Sequence, residues 1–371
     1  MLAHIQKGGE CLGTNEFDNL SERKQQILLN AVEEYIQVAS PITSSNIRNK
    51  CCADLSTATL RNELNALEAM GYLKQLHTSS GRVPTSKGYR FFVNSMMADI
   101  PLDKQALNDI HGLFEQRTIY LGDMINEIAN IVSKATNYPT IVMLKGFEKL
   151  VIKNIKIIPL LTGQALILIE TTSGVINNSM PAEPNTPSQT YVDAGNFLTK
   201  TFEGKTVAEM IKGMPEFRTN MDAELNEYKT IFDTLILSLN NVIDNLTEHN
   251  VTARGELQLL NSPEYSDLNK AKRVIDVMQN REDITRLLDE ELEDNQDVAF
   301  KIGKEIPVEE LQDCSIARAD YLVGEDSVAS IGIIGPQRMD YAKIASALKF
   351  VVGEFNNLKA LNNQPKGEKD E

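Results

Sequence analysis

The stretch from Ser56 to Gly71 is the feature that most constrains the fold of this chain. Leu60, Leu64 and Leu67 recur at i, i+4 and i+7, the spacing that places side chains on one face of an α-helix. Ser56 is a favoured N-cap residue, and Gly71 stands where a helix end needs the left-handed backbone conformation. The sequence therefore predicts a short amphipathic helix with a buried leucine stripe.

Two further helices are predicted before this one. Ser21 can cap a helix that runs from "ERKQQ" through "AVEEYIQV", and Pro41 follows its end. Ser44 or Ser45 can then open a short helix over "NIRNK", and "CCADL" is a turn. Two short helices joined by a tight turn, the second with small, amide and Arg side chains near its start, are typical of a helix-turn-helix.

A basic stretch without carboxylates follows the leucine helix. The whole chain is acidic, with 37 Lys and Arg against 52 Asp and Glu and a formal net charge of −15, yet no acid lies between Glu68 and Asp99. "YLKQL" predicts a strand, Gly81 permits a sharp turn, and Thr85 or Ser86 can cap a helix over "KGYRFFVNSMM". A two-stranded flap in this place is a wing, which lies along the DNA backbone, where phosphates would repel a carboxylate.

Charge is divided unevenly between this region and the rest. Residues 21–97 carry nine Lys and Arg and six acids, or +3, which leaves −18 elsewhere. A basic module on an acidic body favours contact with a polyanion. The side chains predicted to contact DNA are Ser44, Thr57, Thr59, Arg61, Asn62, Arg82 and Lys87.

Two alternatives to DNA binding remain at this point. Helix–loop–hairpin segments also occur in protein-interaction domains. Arg61 could pair with Glu68 or Glu33 on the surface, and Arg82 could be a hydrogen-bond donor within its loop.

After residue 100 the pattern indicates a domain split by an insertion. A long apolar-striped helix is predicted over 105–136, followed by consecutive strands over "IVML", "IKNIKIIPLL" and "QALILIETT" and a Pro-rich connection, "MPAEPNTPSQT". Some sixty helical residues come next. Strand signals then return at "VTAR", "VAFKI", "SIARADYLV" and "SVASIGIIG", with two helices among them and one after them. An α+β domain with a helical insertion explains this order.

The inserted helical part carries a heptad-like stripe. Its members alternate at steps of three and four, as a subunit seam or a bundle core requires. A helix buried against its own domain is the alternative. The residues predicted to hold a dimer are Leu225, Tyr228, Phe232, Leu235, Leu239, Val242 and Leu246.

No motif indicates an enzyme, so we expect no catalytic residues. H-E-x-x-H, G-x-x-x-x-G-K-[ST] and G-x-S-x-G are all absent from the sequence. The four cysteines, Cys11, Cys51, Cys52 and Cys314, lack C-x-x-C spacing, and we interpret them as reduced structural thiols with no metal or cofactor. The acidic run "DEELEDNQD" is interpreted as a solvated helix end. In the loop "GPQRMDY", Arg338 and Asp340 are interpreted as fixing the turn or packing it on a neighbouring domain, rather than as active-site residues.

The N-terminal segment and the apolar runs complete the expectations. "MLAHIQKGGECLG" has no apolar secretory core, and apolar runs such as "IKIIPL" are interrupted long before they could span a bilayer. We therefore expect a cytoplasmic protein.

Long motifs give the chain a specific resemblance. "LSERKQQIL", "SPITS", "DLSTATLRNELNALEAMGYL", "HTSSGRVPTSKGYRFFV", "CSIARADY" and "IGIIGPQRMDY" resemble the HrcA family of bacterial heat-inducible transcription repressors, from about Leu20 to about Phe355. The resemblance implies a dimeric winged-helix repressor that binds an inverted-repeat operator ahead of chaperone operons. It also implies support of the repressor by the GroE chaperonin and loss of activity on heating. A ligand-responsive winged-helix regulator, whose GAF-like domain binds a small effector, is the alternative.

The resemblance also implies a domain plan for an α+β multidomain protein. It contains a winged helix-turn-helix and a GAF-like domain interrupted by a helical dimerisation domain. The expected segments are a flexible extension over 1–19, the DNA-binding domain over 20–98, the first GAF-like part over 99–190, the inserted domain over 191–249, the second GAF-like part over 250–357 and a disordered tail over 358–371.

Overall fold

The chain divides into two compact units, Met1–Met97 and Ala98–Glu371. A computed structural model provides the structure, and it describes residues 20–76, 81–96, 104–115, 121–172, 174–219, 230–234, 251–288, 297–323 and 327–362. The expected extension over 1–19 lies outside these ranges.

The described residues of the N-terminal unit form four helices and a two-stranded antiparallel sheet. In chain order these are α1 (Glu22–Val38), α2 (Ser44–Lys50), α3 (Thr57–Ala69), β1 (Leu73–Gln75), β2 (Arg82–Pro84) and α4 (Ser86–Asn94). The leucine stripe of α3 is fully buried, with Leu60, Leu64 and Leu67 at 0 % exposure. It packs in one core with side chains of α1 and α2, among them Leu28 and Ile47.

Local capping sets the ends of these helices. Ser56 accepts a hydrogen bond from the backbone N–H of Thr59, and Gly71 has a φ of +79°, as the sequence predicts. Thr85 caps α4. The cap of α2 is Thr43 rather than Ser44 or Ser45, because Thr43 and Asn46 exchange hydrogen bonds in a capping box.

The segment before α2 pairs with the hairpin. The Ile42 N–H donates to the Arg82 carbonyl and the Arg82 N–H donates to the Ile42 carbonyl, both at 2.8 Å. A Cβ at Gly81 would stand 2.5 Å from the Ile42 carbonyl oxygen, so only glycine permits this approach without displacing backbone. Gly81 thus ties the hairpin to the chain that enters α2.

A buried carboxylate joins α1 to α3. Glu63 of α3 is 7 % exposed, and it accepts from Arg23 at 2.5 Å and from Lys24 at 3.1 Å. Burial by itself would raise the pKa of Glu63, but the bonds from Lys24 and Arg23 outweigh it and hold the pKa below its ordinary value. The carboxylate is therefore charged at neutral pH and fixes one helix on the other.

The C-terminal unit is built on a five-stranded antiparallel sheet. Its strands are β3 (Thr140–Lys145), β7 (Val251–Arg254), β8 (Ala299–Ile302), β9 (Cys314–Val323) and β10 (Ser327–Pro336). They lie in the order β7–β3–β10–β9–β8. Strands from both sides of residues 146–250 therefore share one sheet.

Helices cover both faces of this sheet. On one face, sheet residues such as Ile141 and Ile334 form a core with α9 (Leu268–Gln279) and α10 (Arg281–Leu288). The other face carries α6 (Leu121–Thr136) and α11 (Tyr341–Asn362), where Phe355 stacks on Tyr321 at 3.9 Å between ring centroids. A further helix, α5 (Lys104–Glu115), precedes α6 in the chain. Layers of helix, sheet and helix account for the core of this part.

A second, three-stranded sheet lies within the interruption. Its strands are β4 (Ile152–Pro159), β5 (Gln164–Thr171) and β6 (Val175–Pro181), followed by α7 (Ser188–Phe202) and α8 (Val207–Thr219). α7 packs on β4, where the Thr199 hydroxyl accepts from the Ile155 N–H at 2.8 Å. The change of sheet falls between Lys145 and Ile152, earlier than residue 191, the expected start of the inserted domain.

Two other expectations differ from the structure, and one agrees with it as far as its residues are described. The sequence does not predict β6, because its outward positions carry Asn177 and Ser179, which have low strand propensity. The helix predicted over 105–136 corresponds to α5 and α6, with 116–120 outside the described residues. Residues 358–362, assigned to a disordered tail, belong to α11.

No helix among the described residues is long and apolar enough to cross a bilayer.

The Glu63 pair gives a pH-dependent prediction. Since the folded-state pKa is below its ordinary value, the pair stabilises the fold at neutral pH, and this contribution is lost as the pH falls through the folded-state pKa. We expect Glu63→Gln to destabilise the N-terminal unit by about 1–3 kcal/mol at neutral pH and by much less near about pH 3. Hydrogen exchange of the α3 amides measures this difference.

Glu22→Gln is the matched control. Glu22 is exposed on α1, and its replacement should leave exchange in α3 unchanged at both pH values. An equal effect of Glu63→Gln at both pH values would contradict the ionic origin of the stabilisation.

Candidate nucleic-acid interface

The solvent face of α3 lies opposite its leucine stripe. Thr57, Ala58, Arg61, Asn62 and Asn65 are all exposed. The burial of the leucines dictates this face, because a helix repeats every 3.6 residues and the remaining positions must point outward. The face therefore presents hydroxyl, guanidinium and amide groups together.

Arg61 and Asn62 project from the early turns of α3. Neither side chain makes an ion pair or a hydrogen bond with any residue in the described part of the chain. The predicted alternative, a pair of Arg61 with Glu68 or Glu33, is wrong, since both acids bond to other bases. Arg suits guanine and Asn suits adenine in the major groove. Two exposed side chains of the types that suit base edges thus stand on one helix face.

Arg82 has a different position from the one expected of a phosphate contact. Its Nε donates to Glu68 at 2.8 Å, and its other guanidinium nitrogen donates to the Asn65 amide oxygen. The Arg82 side chain is only 12 % exposed. The alternative that Arg82 is a hydrogen-bond donor is confirmed, and its partners lie on α3 rather than in its own loop. Arg82 therefore braces the hairpin against the helix.

The other candidates have mixed surroundings. Lys87 places its ammonium 4.7 Å from the centroid of the Tyr72 ring, a cation–π contact that leaves the charge in place. Thr59 is half-buried, and its hydroxyl bonds to Ser56 at 2.9 Å within the helix cap. Ser44 is the first residue of α2 and is half-buried, while Thr57 is exposed at the start of α3.

Ion pairs within the unit decide where its positive charge remains. Lys50 engages Glu33 and Glu34, Glu63 takes Arg23 and Lys24, and Glu68 takes Arg82. Four of the six acids are thus neutralised locally. The exposed bases without an ion pair to a described residue are Arg48, Arg61 and Lys74.

Sequence reasoning missed Arg48 and Lys74 as candidate contacts. Arg48 is exposed on α2, and Lys74 is exposed on β1 beside the hairpin turn. Lys74 belongs to the acid-free stretch, so that stretch already contained the signal. The structure adds that Arg82 of this stretch is paired with Glu68, whereas Lys74 is exposed to solvent.

The loop "GPQRMDY" in the C-terminal unit is structural. Arg338 bonds Glu264 through two nitrogens, at 2.6 and 3.3 Å, and the Asp340 carboxylate accepts from the Lys343 N–H at the start of α11. These contacts confirm that Arg338 and Asp340 fix the turn.

Cys314 is a buried thiol of the C-terminal unit. Burial raises the pKa of Cys314 to about 11, and its thiol lies 3.3 Å from the Tyr265 hydroxyl, so it is no nucleophile. Within the described ranges, no three His, Cys, Asp or Glu side chains lie together as a metal site.

Most of the predicted dimer stripe lies outside the described residues, namely Leu225, Tyr228, Leu235, Leu239, Val242 and Leu246. Phe232 is described, and it is fully buried. Its ring packs edge-on to Phe217 at 5.5 Å and near Phe197 at 6.4 Å. Phe232 thus lies in an aromatic core of its own chain.

Comparison with known proteins places this architecture in a family. The family model described as "HrcA protein C terminal domain" matches residues 122–345, which is more than half of the chain. The chain belongs to the HrcA family. A relative from Acetivibrio thermocellus, named heat-inducible transcription repressor HrcA, is 31 % identical over 333 residues, covering 90 % of this chain and 94 % of that protein.

Further matches extend the relation. A protein of the same name from Thermoanaerobacter pseudethanolicus is 33 % identical over 346 residues, covering 91 % of this chain and 97 % of its own. Alignments of this length are longer than Ala98–Glu371, so the HrcA relation includes the N-terminal unit. A solved structure titled as a hypothetical protein at 2.2 Å resolution has a TM-score of 0.69 at 18 % identity, covering 93 % of this chain and 100 % of that one. At that identity it shows a shared fold.

Arg61 tests base reading by α3. We expect Arg61→Ala to weaken operator binding by about 1–3 kcal/mol while non-specific binding changes far less, because a base contact discriminates and a phosphate contact does not. Titrations of operator and scrambled DNA, followed by fluorescence anisotropy, measure both. Arg48→Ala removes the same charge from α2 and should weaken both DNAs alike. Equal losses on both DNAs for Arg61→Ala would refute the base-reading role.

Lys74 and Arg82 test the hairpin. Lys74→Ala should weaken binding to every DNA sequence and flatten the plot of log K against log salt by about 0.9. Arg82→Ala should instead speed hydrogen exchange in β2 and α3, because it removes the bonds to Glu68 and Asn65. An unchanged salt slope in Lys74→Ala would show that β1 does not approach the phosphates.

Proposed function

We propose that this chain is a repressor of heat-shock gene transcription whose N-terminal unit reads operator DNA. The observation that carries the proposal is the exposed α3 face with Arg61 and Asn62 unengaged, in a unit whose carboxylates are mostly paired elsewhere. Membership of the HrcA family, whose relatives are named heat-inducible transcription repressors, supports the same function. A repressor of this family is not an enzyme.

The N-terminal unit is interpreted as a winged helix-turn-helix. Its α2 and α3 would be the paired helices, with α3 in the major groove, and β1 and β2 would be the wing. The pairing of Ile42 with Arg82 adds a third backbone segment to the hairpin. The Arg82 bonds to α3 support this interpretation, because they hold the wing and the reading helix as one rigid surface.

The C-terminal unit is interpreted as a GAF-like domain with an insertion. The five-stranded sheet has helices on both faces, and its β3 and β7 are adjacent although residues 146–250 separate them. An interruption at this point leaves the sheet intact. The inserted part would include β4–β6, α7 and α8 together with the helical stretch that carries the apolar stripe.

Dimerisation would supply the specificity that one helix lacks. One reading helix contacts only a few bases, whereas two copies on a two-fold axis read both arms of an inverted repeat. The apolar stripe from Leu225 to Leu246 is the proposed seam, but the core position of Phe232 removes that residue from it. Leu235 and Leu239 are the remaining central members.

Regulation by heat is the last part of the proposal. We propose that operator binding is lost on heating, which the relatives' name, heat-inducible transcription repressor, supports, and that the GroE chaperonin supports the repressor's activity. A transcription factor that unfolds reversibly near the stress temperature would release its operator without any ligand.

A DNA-binding titration tests the function and the seam together. We expect tight binding to a fragment from upstream of a chaperone operon of the same genome, and binding to a scrambled fragment weaker by about a thousandfold or more. The double change Leu235→Asp with Leu239→Asp should give a monomer in sedimentation and reduce operator binding toward the scrambled level, because unpaired charge is unfavourable in an apolar interface.

Phe232→Ala is the control for this experiment. It should destabilise the C-terminal unit, because it empties part of an aromatic core, and it should leave the folded protein dimeric. Equal binding of the unchanged protein to both fragments would overturn the proposed function. A dimeric Leu235→Asp, Leu239→Asp protein with full operator affinity would place the interface elsewhere.

A further inference from the structure

The turn between α2 and α3 contains two adjacent thiols. Cys51 ends α2 and is exposed, and Cys52 is 8 % exposed. Their sulfur atoms are 2.9 Å apart, so both point to the same side of the turn. The sequence predicts reduced structural thiols here, and the structure adds that the two sulfur atoms lie side by side.

The spacing of the two sulfurs selects the kind of centre that could bind them. Tetrahedral zinc needs four ligands, and among the described residues no three His, Cys, Asp or Glu side chains are placed to hold a metal ion. A two-coordinate metal holds its sulfurs on opposite sides and therefore far apart. A pyramidal centre, with bond angles close to a right angle, suits two sulfurs that lie side by side.

We propose that Cys51 and Cys52 form a two-sulfur site for trivalent arsenicals and that its occupation weakens operator binding. In the reaction with an arsenic(III) oxide, two S–H bonds and the arsenic–oxygen bond break. Two arsenic–sulfur bonds form, and both protons leave with the oxygen as one water molecule. No atom changes oxidation state, so the step needs no oxidant.

The protonation of Cys51 supports an arsenical over a peroxide as the reactant. Burial, followed by the hydrogen bond with Cys52, raises the pKa of Cys51 to about 12. Peroxide attacks through the thiolate, which is scarce at neutral pH when the pKa is this high. Condensation with an arsenic oxide takes up two thiols with their protons overall and releases these protons as water. The exposed Cys51 provides the point of entry.

The position of the pair connects it to the reading helix. The Cys51 N–H donates to the Ile47 carbonyl at 3.1 Å and completes α2, and the Leu55 N–H donates to the Cys52 carbonyl at 3.1 Å within the turn. Ser56 then caps α3. An arsenic atom bonded to the buried Cys52 sulfur must displace this packed turn, which sets the path from α2 to α3. This coupling rests on the proposed DNA-binding function.

Phenylarsine oxide and the full-length protein test the proposal. We expect one arsenical bound per chain by intact mass spectrometry, with the loss of two titratable thiols. An excess of a dithiol should reverse the binding far better than a monothiol does, because two thiols on one molecule replace both arsenic–sulfur bonds. Loaded protein should bind the operator at least about tenfold more weakly, equivalent to about 1.4 kcal/mol.

Three variants distinguish the outcomes. Cys51→Ser, at an exposed position, should abolish the dithiol-selective binding while operator binding without arsenical persists, and Cys52→Ser should abolish it as well. Cys11→Ser should bind like the unchanged protein. Dithiol-selective binding that survives Cys51→Ser, or is lost in Cys11→Ser, would overturn the site. Loaded protein with full operator affinity would overturn the coupling, whereas failure of arsenical-free protein to select the operator would count against the proposed function alone.

Discussion

The interaction on which the N-terminal unit depends is the bonding of Arg82. Its backbone pairs with Ile42 ahead of α2, and its guanidinium holds Glu68 and Asn65 on α3. One residue therefore ties together the entry to the helix pair, the hairpin and the reading helix. Because these bonds include a charged pair that is mostly shielded from water, they hold the geometry more firmly than an exposed ion pair would.

The ion pairs determine which charged side chains of the N-terminal unit remain exposed. Glu63 forms ion pairs with two basic residues of α1, and Lys50 forms ion pairs with Glu33 and Glu34. These carboxylates therefore stabilise the packing of the helices. The bases that remain include Arg61 on α3 and Lys74 on β1. Although the net charge of the unit is modest, the basic side chains that remain unpaired face the solvent. Helix packing uses the paired charges, and the proposed DNA contacts use the exposed ones.

The C-terminal unit depends on a sheet assembled across a long interruption. β3 pairs with both β7 and β10, so the sheet closes only after the chain returns from the three-stranded sheet and its helices. Gly332 on β10 lies against α10, where an added Cβ would stand 2.8 Å from a methyl group of Leu288. Long-range pairing of this kind is slow to form, because the chain must close a long loop before the contacts are made.

The sequence by itself determined what short-range patterns control. Ser56, Gly71 and the stripe of Leu60, Leu64 and Leu67 fix the ends and the buried face of α3, because capping and helical periodicity act over a few residues. Strand signals in "SIARADYLV" and "SVASIGIIG" likewise located β9 and β10. The long motifs were also sufficient to indicate the family.

Tertiary structure decided which of several compatible partners each element takes. Arg82 could face phosphate or Glu68, and only the folded arrangement brings Glu68 within 2.8 Å. Periodicity shows which side of β4 is buried but not that β3 and β4 join different sheets, because every strand offers the same backbone hydrogen bonds. Phe232 fits a seam and a core equally well by spacing, and the rings of Phe217 and Phe197 place it in the core. Contacts between residues distant in sequence made each of these choices.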